Sequence, residues 1–240
     1  MKFAEDEILQ GLKTKEYIKN DWYTKWHSSG KEKMNSDFAV GAERIIYSLL
    51  NGKGIGQPNS APVGSDLFFE VKDAFIHIDV KTIQTGNIDD YATSIPVGNN
   101  QNSYNGQVNK KEYKEASLPS YYNSSKTGKK PCLTYFITVL YSAIDLTTLN
   151  INILSMPNQE LYKVYGKKAL RPGKTQYSNK MKLKYQKTVR FNWSKCDNFT
   201  LIEGNPKRVK VAYFDEDNMT LDIQKKLTLI KKIHNNQFNL

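Results

Sequence analysis

Cysteine is scarce here: two residues, Cys132 and Cys196, far apart in a chain of 240. They form no CxxC pair, and only three histidines accompany them, so a structural zinc site is not expected. Two free thiols in a reducing compartment are. Long apolar runs are missing too, and no stretch approaches the roughly 20 residues of a membrane helix. The N-terminal MKFAEDEILQGLK is acidic early and lacks a signal-peptide core. These absences predict a cytoplasmic protein with no membrane partner. Internal repeats and low-complexity linkers are also lacking, and the glycine-rich stretch 51–64 has no GK[ST] ending, which excludes a P-loop. Finally, acidic residues are absent from Leu161 to Cys196.

That last stretch holds eleven lysines and arginines, among them Arg171, Lys174, Lys182, Lys184 and Arg190. The whole chain carries 35 basic and 24 acidic residues, a net charge of +11. A concentrated basic segment is the footprint of a polyanion partner, and a solvated lysine-rich face is its plain alternative. Hydrophobic residues make up 39% and aromatics 12%, which places the chain among globular proteins with one good-sized core or two small ones.

Periodicity predicts a helix over residues 5–17 and a stronger one in NSDFAVGAERIIYSLLNG, capped by Asn35, Ser36 or Asp37 and ended by Gly52. Ala39, Ile46 and Leu50 form its apolar stripe, and Glu43 falls on the same stripe. Strands are predicted over 66–71, 74–82, 133–142 and 151–156, with a long polar stretch, 84–131, between the second and third. A closing helix is predicted near 219–235, with Leu221, Leu227, Ile230 and Ile233 at helical intervals. Helices around a mixed sheet give an α/β (α+β) class.

The first two strands hold the most informative residues. Strand alternation puts Phe75, His77, Asp79 and Lys81 on one face and Ala74, Ile76, Ile78, Val80 and Thr82 on the other, which is apolar and core-facing. If the turn is symmetric about Lys72-Asp73, paired residues sum to 145. Asp66 then lies directly opposite Asp79 on the same face, with Cβ atoms about 5 Å apart. A turn of odd length would break this pairing. Two adjacent carboxylates repel unless a cation lies between them. A hard divalent ion such as Mg²⁺ fits, taking a few carboxylate oxygens plus waters. The chemistry of such a face is metal-dependent phosphodiester hydrolysis, with Lys81 orienting water or offsetting phosphate charge.

Asp66 followed by Asp79-Val80-Lys81 resembles the PD-(D/E)xK nuclease core, with Gly64-Ser65-Asp66 where the family has Pro-Asp. The resemblance spans about 37–156 and is greatest to type II restriction endonucleases. It implies a restriction-endonuclease-like core, a mixed central β-sheet flanked by helices. It implies one endonuclease domain over 1–240: a catalytic core at about 37–156, a basic DNA-binding stretch at about 161–196 and the closing helix. It further implies a prokaryotic homodimer that cuts double-stranded DNA with Mg²⁺, for which Mn²⁺ can substitute. Asp66, Asp79, Lys81 and Glu43 are then the catalytic set, with Asp66, Asp79 and Glu43 as metal ligands. Glu43 takes the place of an acidic residue that the family often carries on the helix before the hairpin.

Two segments are candidate DNA contacts. Asn99, Asn100, Gln101, Asn102, Ser103 and Tyr104 follow the second strand closely, and amides can read adenine edges or reach phosphates. NKMKLKYQKTVRFNW alternates basic and apolar residues, as a strand lining a DNA cleft would, with Lys182 and Lys184 on it and Arg171, Lys174 and Arg190 on or near it. Glu70, nearer the turn, is expected to be solvated, and His77 is left out of the catalytic set. Competing readings are a structure-specific repair or junction-resolving nuclease and a non-catalytic basic DNA-binding protein.

Overall fold

The computed structural model describes residues 38–50 (except 40, 44, 48 and 49), 65–98, 118, 120–124, 127–156, 161–166, 169–173, 175–178, 183–186, 188–196 and 208–237. The helix expected at 5–17, the caps at 35–37 and the glycine-rich stretch lie outside these residues.

The described residues of 38–50 are helical (α1). Phe38, Ala42, Ile46 and Leu50 are its buried positions, four residues apart. Ile46 and Leu50 are buried as expected, while in the first half of the helix the stripe runs one position earlier, through Phe38 and Ala42. Ala39 and Glu43 sit at its margin, half-buried, where a carboxylate can reach water.

Two strands follow, β1 (Leu67–Glu70) and β2 (Phe75–Gln84). The β2 side continues through a 3₁₀ turn (Thr85–Asn87), the short helix α2 (Asp89–Ala92) and β3 (Ile95–Gly98). Next come β4 (Tyr121–Ser124), the long β5 (Gly128–Tyr141) and β6 (Thr148–Met156). The polar stretch 84–131 thus carries regular structure that its composition hid. Helix α3 (Leu161–Tyr165) leads to β7 (Leu170–Pro172), β8 (Thr175–Ser178), β9 (Leu183–Gln186) and β10 (Thr188–Phe191). The chain ends with β11 (Val209–Phe214), α4 (Leu221–Lys226) and α5 (Thr228–Gln237). The single closing helix expected at 219–235 is two helices, interrupted at Leu227. Leu227 and Ile230 are buried, but Leu221 is 73% exposed and takes no part in the core.

The main sheet runs β1-β2-β5-β6-β11, with β4 added beside β5. It is mixed: β2 and β5 are parallel, while β1–β2, β5–β6 and β6–β11 are antiparallel. One face is covered by α1, whose buried stripe packs with Leu67, Phe69, Ile78, Val80, Val139 and Ile151. On the other, Ile83, Phe136 and Leu140 join a second cluster with α2, α4, α5 and a small sheet of order β3-β10-β7. β2 is therefore central and buried on both sides, although only the Ile76, Ile78 and Val80 face was expected to meet a core. His77 is fully buried, and Asp79 is 1% exposed.

The basic stretch is not one strand. β8 and β9 form a two-stranded ribbon, and β10 belongs to the small sheet. β10 supplies Val189 and Phe191 to the core and turns Arg190 the other way. Among the described residues, no helix is long and apolar enough to cross a membrane.

Candidate active site

The turn that joins β1 to β2 decides the site. The Val71 N–H donates to the Ala74 carbonyl at 2.9 Å, closing a two-residue turn at Lys72-Asp73. The ladder then pairs Leu67 with Ile78, Phe68 with His77, Phe69 with Ile76 and Glu70 with Phe75. Each pair sums to 145, as the symmetric turn requires. Asp66, the residue before β1, continues this register toward Asp79. Its Oδ2 accepts from the Val80 N–H at 2.6 Å, which ties the exposed Asp66 to the strand that carries Asp79.

Asp79 lies on the β2 face shared with Ile83, the same side as the small sheet. Across the parallel ladder its partner is Phe136, an apolar wall. Lys81 Nζ stands 2.6 Å from Asp79 Oδ1 and 5.7 Å from the centre of the Phe136 ring. Both Asp79 oxygens are buried, and because a carboxylate offers about four lone-pair sites, the contact with Lys81 leaves acceptor capacity over. Burial pushes the Asp79 carboxyl up to about 8; Lys81 opposes the rise and Asp66 adds to it. Glu43 approaches from α1. Desolvation, then Asp66, raise it to about 7, and Lys81 partly offsets this. The four residues singled out in the sequence thus share one electrostatic neighbourhood.

A buried carboxylate with unused acceptors beside a second carboxylate suits a hard divalent cation. Among the described residues no three acidic, histidine or cysteine side chains are gathered closely enough to enclose an ion. A two-aspartate donor set fits Mg²⁺, which keeps several water ligands and shares its shell with substrate oxygens.

Glu70 is not simply solvated. It accepts from Ser124 Oγ at 2.5 Å and from Lys130 Nζ at 2.8 Å, and Lys130 also donates to the Val71 carbonyl. This contact clamps the turn end of the hairpin onto β4 and β5. Burial at 7% exposure makes Lys130 part of the scaffold, a role that one lysine among many in a basic chain could not signal.

The candidate DNA contacts divide. Asn99, Asn100, Gln101, Asn102, Ser103, Tyr104, Lys174 and Lys182 lie outside the described residues. Lys184 is in β9, opposite Tyr177. Arg171 is exposed on β7 and sits directly across from Arg190 of β10. Arg190 is bound through Nε and Nη2 to both carboxylate oxygens of Asp90, a partner the sequence reading did not include.

The first 145 residues match the family described as type II restriction enzyme MwoI, N-terminal domain, and residues 148–214 match the MwoI central domain. The two matched segments meet between β5 and β6, which pair within one sheet. Comparison with curated proteins gives no match in sequence. Among solved structures, the chain resembles the restriction endonuclease BglI bound to its DNA recognition sequence, with a TM-score of 0.57 and 18% identity over 90% of this chain and 86% of that one. It also resembles tetrameric SfiI bound to cognate DNA, with a TM-score of 0.51 and 13% identity over 90% and 85% of the two chains. The fold is that of these endonucleases, and the family match covers most of the sequence: this chain belongs to the type II restriction endonucleases of the PD-(D/E)xK-like class, in the family of MwoI.

Proposed function

We propose that this protein hydrolyses phosphodiester bonds of double-stranded DNA at a specific sequence, using Mg²⁺ at a site formed by Asp66, Asp79 and Lys81. Mn²⁺ is expected to substitute. The observation that carries this reading is the Asp66 carboxylate bonded to the Val80 N–H, next to Asp79, with Lys81 Nζ 2.6 Å from the Asp79 carboxylate. Family membership supports the site-specific cleavage.

Asp66 and Asp79 would hold the ion. When bound, it would supply positive charge that acidifies water and offsets the charge of the reacting phosphate. Asp79 is kept rigid by a strand buried on both faces, so its oxygens need no reorganisation to act. Lys81 is held beside Asp79 and over Phe136, where its ammonium can orient the attacking water or stabilise negative charge at the phosphate. Glu43 is the fourth member, a half-buried carboxylate of α1 at the margin of the site that would serve as a further ligand of the ion. Arg171, Lys174, Lys182, Lys184 and the segment Asn99, Asn100, Gln101, Asn102, Ser103 and Tyr104 form the DNA-contacting surface.

Two such sites would let both strands be cut in one encounter, and membership of the restriction endonucleases supports a homodimer as the working form. The 240 residues act as one endonuclease domain, in the cytoplasm of a prokaryote. Digestion of DNA of known sequence, with sequencing of the ends, tests the reading. Discrete fragments in Mg²⁺ and none in its absence are expected. Cutting confined to branched DNA would reassign the chain to junction resolution, and binding without cutting would make it a non-catalytic DNA-binding protein.

A further inference from the structure

Arg171 and Arg190 are placed where sheet physics disfavours them. They are direct cross-strand partners of β7 and β10, and such partners share a face with side chains about 5 Å apart. Like charges there repel, and neither guanidinium is left to float. Arg190 is forked onto Asp90 of α2, with Nη2 2.7 Å from Oδ2. Arg171 Nη2 donates to Ser94 Oγ at 2.9 Å, and Ser94 is fully buried. Hydrogen bonding to Asp90 holds Arg190 above its ordinary pKa.

The holders are themselves anchored. Tyr91, next to Asp90, turns inward, donates to Asn150 Oδ1 at 2.5 Å and accepts from Asn152 Nδ2 at 2.9 Å. Both asparagines belong to β6 of the main sheet. Only residues 85–88 separate α2 from the end of β2, the strand that carries Asp79 and Lys81. A short, hydrogen-bonded unit therefore fixes the arginine pair relative to the cleavage site.

We propose that Arg171 reads a base edge of the DNA, and that Arg190, Asp90 and Ser94 are the positioning residues that aim it. This rests on the chain being a site-specific endonuclease. Charge favours a base over a phosphate. A pair meant for backbone phosphate gains nothing from a carboxylate bonded to one of its members, because the acid repels the ligand. A base edge is neutral and directional, and a guanidinium held in a fixed plane matches it. Arg171 is the exposed member and makes the contact; Arg190, half-buried with Asp90, is the strut beside it.

The test is binding selection from a pool of randomised duplexes in Ca²⁺, with the bound fraction sequenced. Wild type is compared with Asp90→Asn, Ser94→Ala and Arg171→Lys. The expected result is a wild-type consensus in which one base pair per half-site loses its preference, by about tenfold or more, in the variants. Other positions keep theirs. Arg171→Lys retains charge and lies on the surface, so it gives the result even if Asp90→Asn fails to fold. A variant consensus identical to wild type, a uniform loss at every position, or no wild-type consensus at all would overturn the proposal. Cleavage in Mg²⁺ is scored separately. A clear consensus without cutting would refute the nuclease reading alone, and cutting with an unchanged variant consensus would refute the arginine assignment alone.

Discussion

The β1–β2 hairpin and the β7–β10 region both place charge on strands, with opposite outcomes. In the hairpin, few charges converge: Asp66, Asp79 and Lys81 meet on one face, and Asp79 is almost wholly buried at a raised pKa. In the basic region, many charges are distributed over a ribbon and a small sheet, and Arg190 is matched to a carboxylate from another element. Exposed charges cost little and contribute little individually, since surface ion pairs are worth about 0–1 kcal/mol. A buried carboxylate beside another is costly and persists only where the surrounding structure holds it. The proposed function accordingly assigns chemistry to the hairpin and DNA binding to the basic region.

The largest expected effect breaks that division at its centre. Asp79→Asn or Lys81→Ala is expected to slow cleavage on the order of a thousandfold or more in single-turnover assays. DNA affinity should be retained, or rise for Asp79→Asn as a repelling charge is removed. Equal losses of binding and cleavage would erase the distinction between the two regions. Glu43→Gln touches the margin of the same site, and a smaller loss, about ten- to a hundredfold, is expected in the same assay.

Thermal melting sharpens the comparison without DNA. Asp79 and Glu43 titrate above the ordinary carboxylate range when folded, so the metal-free native state binds protons that the unfolded chain has already released. Their contribution to stability is present at low pH and is lost as pH rises from about 4 to about 8. A divalent ion favours the ionised form. The gain in Tm on adding Mg²⁺ is thus expected to be larger near pH 8.5 than near pH 6, about where these groups lose their protons. Asp79→Asn should flatten most of that difference. The smallest effect belongs to the basic region: Lys184→Ala is expected to weaken binding equally for all sequences and to lower the salt slope by about one, measured by affinity titrations at several salt concentrations.

Legibility followed range. The β1–β2 register depends on two turn residues and the period of a strand, so it follows from Lys72-Asp73; Asp66 lies one residue beyond the paired ladder and reaches β2 through the Val80 N–H. Glu43 stands out in the sequence as a carboxylate in register with Ile46 and Leu50, and the structure sets it beside the buried stripe of Phe38, Ala42, Ile46 and Leu50. The burial of β2's second face was not legible, because it comes from β5 and the small sheet, distant in sequence. For the same reason Glu70, exposed as expected, gave no sign of its partners: Ser124 and Lys130 bind it from more than fifty residues away.

By itself, then, the sequence determined the chemistry available on β2: which acids and which lysine share a face, since alternation and a two-residue turn are local rules. It also determined the excess of positive charge between Leu161 and Cys196. Only the tertiary structure decided which charges are buried, which are paired and how the two regions are joined. The packing of β5 against β2 raises the Asp79 pKa, and the α2 segment joins the arginines of β7 and β10, through Asp90 and Ser94, to β6, through Tyr91. Desolvation and long-range pairing depend on what the fold brings alongside a residue, and no local pattern encodes that.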